Sequence, residues 1–398
     1  MGWVSLLTDI SSEMILIVLP FFLANVLGVG ASVIGVIEGV ADSTATLSRA
    51  PSGWLSDRLR RRKSLTLLGY GLAAIAKPFL YIATSWGIVI AIRFTDRLGK
   101  GIRSAPRDAL IAASANPAQR GRSFGFHRAM DTAGAMLGTL VAALVILTMQ
   151  RGDILLERGS FHIIVFIAAI PAFLAVLVLW KFVREPKADT VGLTPASAEI
   201  SARKFSTRFI ILLGILVIFA LANSSDAFLL LRAQDVGMPI FAIILLLAGF
   251  NLIGALLSTP AGILSDRIGR RWVIVAGWLL FALVYLGFGG AKTAWHVIPL
   301  FLIYGVYSAA TEGAARALVA DMVPSERRGT AYGLYYTAIG LTAFPASVLA
   351  GWLWDAFDPS MPFFVGAALA ATAAILLAIT LRGRKNAPRR SPLLPHLV

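Results

Sequence analysis

The chain has 398 residues, of which 58% are hydrophobic and only 14% charged, and its mean hydropathy is +0.79. A soluble domain runs near about 45–50% apolar and about 25% charged, so a water-soluble enzyme is excluded and most of this chain is expected in lipid. Thirty-six Lys and Arg against 21 Asp and Glu leave a net charge of +15. In a soluble chain that excess would point to nucleic acid; in a membrane chain it is read as positive cytoplasmic loops, with no nucleic-acid partner. The sequence has no cysteine, which excludes disulfides, thiolate metal sites and Cys nucleophiles. The first apolar stretch carries Asp9 and Glu13 and no basic leader, so it does not read as a signal peptide.

In chain order, apolar stretches long enough to cross a bilayer fall near residues 3–27, 32–56, 64–84, 87–113, 123–149 and 161–183, and then near 208–231, 239–264, 272–290, 295–320, 330–351 and 361–382. The expectation is an all-α membrane protein with twelve transmembrane helices, since continuous runs of this length do not fit the alternating strands of a membrane barrel. Basic residues collect in every second connection: Arg58 to Lys63, Arg120 and Arg122, Arg184 to Arg208, Arg267 to Arg271, Arg327 and Arg328, and Arg384 to Arg390. The positive-inside rule then places both termini in the cytoplasm. The predicted organisation is a six-helix bundle over 1–184, a cytoplasmic linker over 185–207, a second six-helix bundle over 208–382 and a cytoplasmic tail over 383–398. Short loops without targeting segments suggest a bacterial inner membrane.

The two halves repeat. Gly53-Trp-Leu-Ser-Asp57-Arg58 recurs as Gly262-Ile-Leu-Ser-Asp266-Arg267, and Gly121-Arg-Ser-Phe-Gly125 as Gly329-Thr-Ala-Tyr-Gly333, at nearly the same displacement. Ser11-Ser12-Glu13 has a counterpart in Ser224-Ser225-Asp226. Two similar bundles in parallel orientation enclose a cleft suited to alternating access.

The loop after the second span, with Gly53, Asp57, Arg58, Arg61 and Arg62, resembles the G-x-x-x-D-R-x-G-R-R/K signature of the major facilitator superfamily, although Arg60 stands where glycine is expected. The second copy keeps the glycine: Gly262, Asp266, Arg267, Gly269, Arg270 and Arg271. Arg93-Phe94-Thr95-Asp96-Arg97-Leu98-Gly99 resembles that family's R-F-x-Q-G-x-G. Gly125, Gly134 and Gly138 resemble its exporter signature G-x8-G-x3-G-P, with Thr139 in place of proline. The resemblance covers essentially the whole chain. It implies a secondary transporter in which the Asp–Arg loops latch the halves together and release them.

Ionisable side chains inside the spans are costly and need a partner or an aqueous cavity. Asp9 and Glu13 share one face of the first span, and Glu38 and Asp42 one face of the second. The fourth carries Arg93, Asp96, Arg97, Lys100, Arg103, Arg107 and Asp108, and the fifth His127, Arg128 and Asp131. Depth predicts that Arg93 and Arg97 pair with Asp9, Glu13 or Asp42, and Arg103 and Arg107 with Asp131. Function and a purely structural ion-pair network compete as readings of Asp131, Arg128 and Arg107. The second half holds Asp226, Glu312 and Arg316 with several tyrosines, Tyr304 among them. This asymmetry suggests that the N-half couples to protons while the C-half shapes the substrate cleft.

The expected function is proton-coupled secondary transport of a small molecule, in the export direction as an antiporter and by a monomer. Burial disfavours a charged carboxylate and a nearby Arg favours it, so alternating environments can load and release a proton. Divalent metal efflux is the alternative, with Asp9, Glu13, His127 and Asp131 as candidate ligands, and the arginines of the fourth span favour an organic anion instead. A non-transporting receptor or scaffold is the reading outside this class. Neither G-x-S-x-G nor H-E-x-x-H occurs, nor a P-loop, so neither an enzyme nor a cofactor is expected.

Overall fold

The computed structural model describes residues 1–59, 61–114, 120–150, 153–185, 205–324 and 327–380, and no strand occurs among them. Most of the predicted linker and the whole tail lie outside the described residues. So do Arg60 and the side chains of Asp57, Arg120 and Arg122.

Fourteen α-helices follow one another: α1 Gly2–Phe21, α2 Ala31–Leu47, α3 Arg49–Leu59, α4 Arg62–Ala76, α5 Trp86–Ser114, α6 Arg120–Gln150, α7 Arg158–Phe182, α8 Thr207–Ala222, α9 Ala227–Asp235, α10 Ile240–Ile268, α11 Arg270–Gly290, α12 Ala294–Asp321, α13 Arg328–Ala356 and α14 Met361–Thr380. Among the described residues, ten helical segments are long and apolar enough to cross a membrane. The two predicted spans outside that set are α2–α3 and α5. Both are helical over the expected residues, but α2 has only 17 residues and ends at its cap residue Ser48 before α3 begins, and seven charged side chains between Arg93 and Asp108 keep α5 out of the set.

The repeat reappears in the packing. Within the first half α1 lies on α6 and α7, α5 on α2 and α4, and α4 on α7; within the second, α8 lies on α13 and α14, α12 on α10 and α11, and α11 on α14. Each contact of one half thus has its counterpart in the other. Large apolar side chains such as Phe166, Leu144, Leu283 and Ile375 remain exposed around the outside, as a lipid-facing surface requires.

The halves meet chiefly where α2 runs along α13, and again where α6 meets α10. The α2–α13 seam depends on close backbone approach. A Cβ on Gly35 would collide with the Ser347 carbonyl, and one on Gly39 would lie 3.0 Å from the Phe344 backbone. Hydrogen bonds cross the seam from Ser43 Oγ to the Gly340 carbonyl (2.7 Å) and from Ser32 Oγ to the Gly351 carbonyl (3.2 Å). At its far end Asp355, in the last turn of α13, accepts from the backbone N–H groups of Ala31 (3.0 Å) and Ser32 (2.8 Å). A carboxylate of one half therefore caps the N-terminus of a helix in the other, where orphan donors and the helix dipole both favour it. At the opposite end α3 packs on α2, α4 and α5, all of its own half. The bonds of Asp355 thus tie the halves together at its end of the seam, as a seal between α2 and α13.

A lost N-cap costs about 1 kcal/mol, which is roughly a fivefold change in a two-state population. Asp355→Ala is therefore expected to raise the rate at which an impermeant maleimide labels a single cysteine at Ile34→Cys, buried beside the seal, by about fivefold. An unchanged rate would mean that the cap does not hold this end shut.

Candidate functional site

In the N-half the buried charges are organised by side-chain bonds between helices. Arg93 on α5 donates through Nη2 to both carboxylate oxygens of Glu38 on α2, at 2.9 and 2.7 Å. Both side chains are buried, and such a pair is strong because each charge satisfies the other. The expected partners of Arg93 and Arg97 were Asp9, Glu13 and Asp42. Arg93 instead takes Glu38, and Arg97 lies 3.9 Å from its neighbour Asp96. Helical phase explains the difference, since Glu38, buried on α2, faces α5 where these helices pack.

One level toward the Asp–Arg loops, Asp131 does not bond Arg103 or Arg107. It sits 3.4 Å from Nδ1 of His127, one turn earlier on α6. His127 uses Nε2 to meet Ser5 Oγ of α1 at 2.7 Å, and Ser5 lies 3.4 Å from the Tyr70 hydroxyl. Arg103 stacks over the Tyr70 ring at 4.3 Å. Arg107 bonds Asp108 at 3.0 Å, although it remains in the electrostatic field of His127 and Asp131, so the predicted level is right and the predicted bond is not. Arg128 is exposed and outside this network. Ser5 and Tyr70 were missed because nothing in a serine or tyrosine of an apolar helix signals a polar partner on another helix.

Lys77, buried between these layers, donates to Ser11 Oγ (3.0 Å) and Ser12 Oγ (2.9 Å). Asp9 and Glu13 are half-buried and lie in the field of Lys100, yet neither makes a hydrogen bond or ion pair among the described residues. Gly134 and Gly138 of α6 press against the backbone of Leu6 and Ile10 of α1, so this glycine stripe packs α6 on the helix that carries both carboxylates. Among the described residues no group of three or more His, Asp or Glu side chains converges as metal ligands. Asp9, Glu13, His127 and Asp131 are not gathered as a metal site.

The C-half presents a cavity of about 380 Å³ beside the seam. Its floor is the break between α8 and α9, residues Asn223–Asp226. Four consecutive short polar residues compete with the helical backbone there, and the freed groups find partners: the Ser225 N–H donates to Ser347 Oγ, and the Ala227 N–H to Ser225 Oγ, each at 3.3 Å. Tyr304 on α12 donates to Asp226 at 2.9 Å. Asp226, Tyr304 and Glu312 line the cavity, and Asp42 reaches it from the N-half. Arg316 is absent from its lining and pairs with Glu312 at 3.1 Å.

Where the latch candidates bond among the described residues, they bond within their own half. Arg270 joins Asp266 (3.2 Å), Asp321 (2.7 Å) and the Ala317 carbonyl (3.0 Å), tying α10 and α11 to α12. Gly269 between them has φ of 97°, a conformation that explains the glycine in this copy of the motif. In the first copy Gly53 packs on Ala105 of α5 and Arg58 lies over Trp54 at 5.2 Å, while Glu185 accepts from the N–H groups of Arg62 (2.9 Å) and Lys63 (2.8 Å), capping α4. A Cβ on Gly262 would meet no neighbouring helix within 4 Å, and Arg61 precedes α4 as its cap residue. Arg267 sits in the last turn of α10.

Two helical halves with the same internal packing, a charged interior and a polar cavity beside their seam define a multi-pass membrane protein built to carry solutes. The family model of the major facilitator superfamily matches residues 1–231 and 211–396, and the chain belongs to that family, whose members are transporters and not enzymes. A protein of Methanocaldococcus jannaschii described as an uncharacterized MFS-type transporter is 37% identical over 95% of this chain and 93% of its own length. The solved structure of nucleoside transporter NupG superposes with a TM-score of 0.75 at 14% identity, over 96% of this chain and 98% of that one. That of a D-xylose-proton symporter gives 0.75 at 16% identity, over 94% and 95%. At these identities the structural likeness is one of fold.

Removing one partner of a buried ion pair leaves the other uncompensated, at a cost of about 3–5 kcal/mol. Glu38→Gln is expected to lower the melting temperature of the purified protein markedly, and Glu38→Gln with Arg93→Met to recover much of the loss. Equal melting of the single and double variants would show that the pair does not act as a unit.

Proposed function

We propose that this protein is a proton-coupled secondary transporter of a small molecule, working as a monomer by alternating access through twelve spans in a bacterial inner membrane, with both termini cytoplasmic. The halves are residues 1–184 and 208–382, joined by the linker 185–207. The observation that carries this reading is the contrast between the buried, bonded Glu38 and the half-buried, unbonded carboxylates of α1. Glu38 is held by Arg93, whereas Asp9 and Glu13 stand in a field of cations without a bond. Unbonded acids beside Lys100 are the groups whose charge state can follow a change in access. His127, bonded to Asp131 and Ser5, offers a second proton acceptor on the facing helix.

The cavity at the seam is the substrate's place, and the seal at Asp355 is one end state of the cycle. Export as an antiporter is the preferred direction, supported by the glycine stripe of α6 lying against α1. The loops with Asp57, Arg58, Asp266 and Arg267 stand at the unsealed end, where closing the cleft would bring them together as a latch. Organic-anion transport is less favoured, because the side chains of Arg93 and Arg103 are engaged by Glu38 and Tyr70. Divalent metal efflux finds no gathered ligand set among the described residues.

Proteoliposomes carrying a trapped pH dye, challenged in turn with amines, sugars, nucleosides and carboxylates, test the reading. One of these classes is expected to drive proton movement in the wild type. Neutralising Asp9, Glu13, Glu38 and Asp42 one at a time should reduce it at least tenfold for Glu13→Gln or Asp9→Asn. Proton-linked transport that survives all four substitutions sinks the coupling, and the absence of any solute flux makes the protein a scaffold.

A further inference from the structure

The cavity beside the seam differs in charge from the rest of the interior. Three carboxylates line it, Asp42 from α2, Asp226 from the helix break and Glu312 from α12, while no Lys or Arg is among its lining residues. The three are not equally compensated. Glu312 is paired with Arg316 on the same helix, and Asp42 lies in the field of Arg97. Among the described residues the Asp226 carboxylate has only the neutral Tyr304 hydroxyl as a bonded partner, and its charged neighbour is the like-signed Asp42. A carboxylate so placed, exposed to the cavity and without a basic residue in its lining, offers its charge to a cation that enters.

The rest of the lining describes the body that such a charge must ride on. Phe219 stacks on Trp278 at 4.3 Å, Phe250 on Tyr304 at 5.4 Å, and Tyr307 packs 5.3 Å from Tyr304. Aromatic faces attract a desolvated cation and also accommodate apolar surface. The volume of about 380 Å³ is in the range of small-molecule sites and far exceeds one metal ion.

We propose that this cavity binds an organic cation: a positively charged centre set against Asp226 and Asp42, carried on an aromatic or alkyl body received by Phe219, Phe250, Trp278 and Tyr304. The assignment rests on the transport reading above and names its substrate class. Asp226 sits on the hinge of a broken helix, so engaging it acts on the segment that Ser347 ties to α13, the helix forming the seam.

The test uses the full chain in detergent with two probes of matched shape and opposite charge, tetraphenylphosphonium and tetraphenylborate. Equilibrium binding is expected to favour the phosphonium at least tenfold, with a concentration-dependent rise in melting temperature. Asp226→Asn should weaken phosphonium binding at least tenfold, and Asp226→Glu should restore most of it. Should Asp226→Asn fail to fold, Asp42→Asn carries the same test. Equal binding of the two ions, or phosphonium affinity unchanged by removal of either acid, overturns the proposal. Selective binding without movement in proteoliposomes supports the cation site and overturns the transport reading. A proton-linked flux of sugars, nucleosides or carboxylates without phosphonium binding overturns the cation assignment and leaves transport standing.

Discussion

The contact between Arg93 and Glu38 joins α5 to α2, and α2 in turn carries the seam to the other half. A charge in this interior is tolerable only when another group meets it, so the pair constrains how far these helices can slide without exposing an uncompensated charge. The same economy governs the level beneath, where Asp131, His127, Ser5 and Tyr70 connect α6, α1 and α4 in a continuous run of polar contacts. These bonds make the N-half a body with its own internal order. Asp9 and Glu13 stand out against it because the order does not include them.

The C-half solves the same geometry by other means. Its packing scheme repeats that of the N-half helix for helix, yet its interior is aromatic, with Phe281 stacked on Tyr285 and Phe219 on Trp278. The counterpart of Ser11-Ser12-Glu13, which lies on the unbroken α1, is Ser224-Ser225-Asp226 at a break in the helix. A duplicated framework has therefore acquired two chemistries: cations held by acids and serines on one side, and an acid surrounded by rings on the other. Ser347 connects them, since its hydroxyl accepts from the break while its carbonyl abuts Gly35.

Hydropathy made the helical segments legible, and the repeated Gly-x-x-x-Asp-Arg pattern made the duplication legible, because both are local or periodic signals. Asp226, Tyr304 and Glu312 were identifiable as cleft residues because an ionisable group in an apolar span must face something polar. Pairings were not legible. Arg93 has acids available at several depths, and only the relative rotation of α2 and α5 selects Glu38 over Asp42. Arg107 lies at the predicted level but finds Asp108 beside it in sequence. The cap by Asp355 left no trace in the sequence at all, because its donors are the amides of Ala31 and Ser32, more than three hundred residues away, and any residue other than proline carries such an amide.

The two sides of the seal are unequal as targets for substitution: on α2 the donors are main-chain groups, which almost every amino-acid replacement preserves, while on α13 the acceptor is a single side chain. Variation that tunes how firmly this end closes is thereby funnelled to position 355, to a proline at position 31 or 32, or to Gly30, where a Cβ would lie 2.8 Å from Asp355 Oδ2. Apart from Gly35, Gly39 and Glu38, the helix whose end is capped can change its side chains for other purposes without touching the bond that holds it.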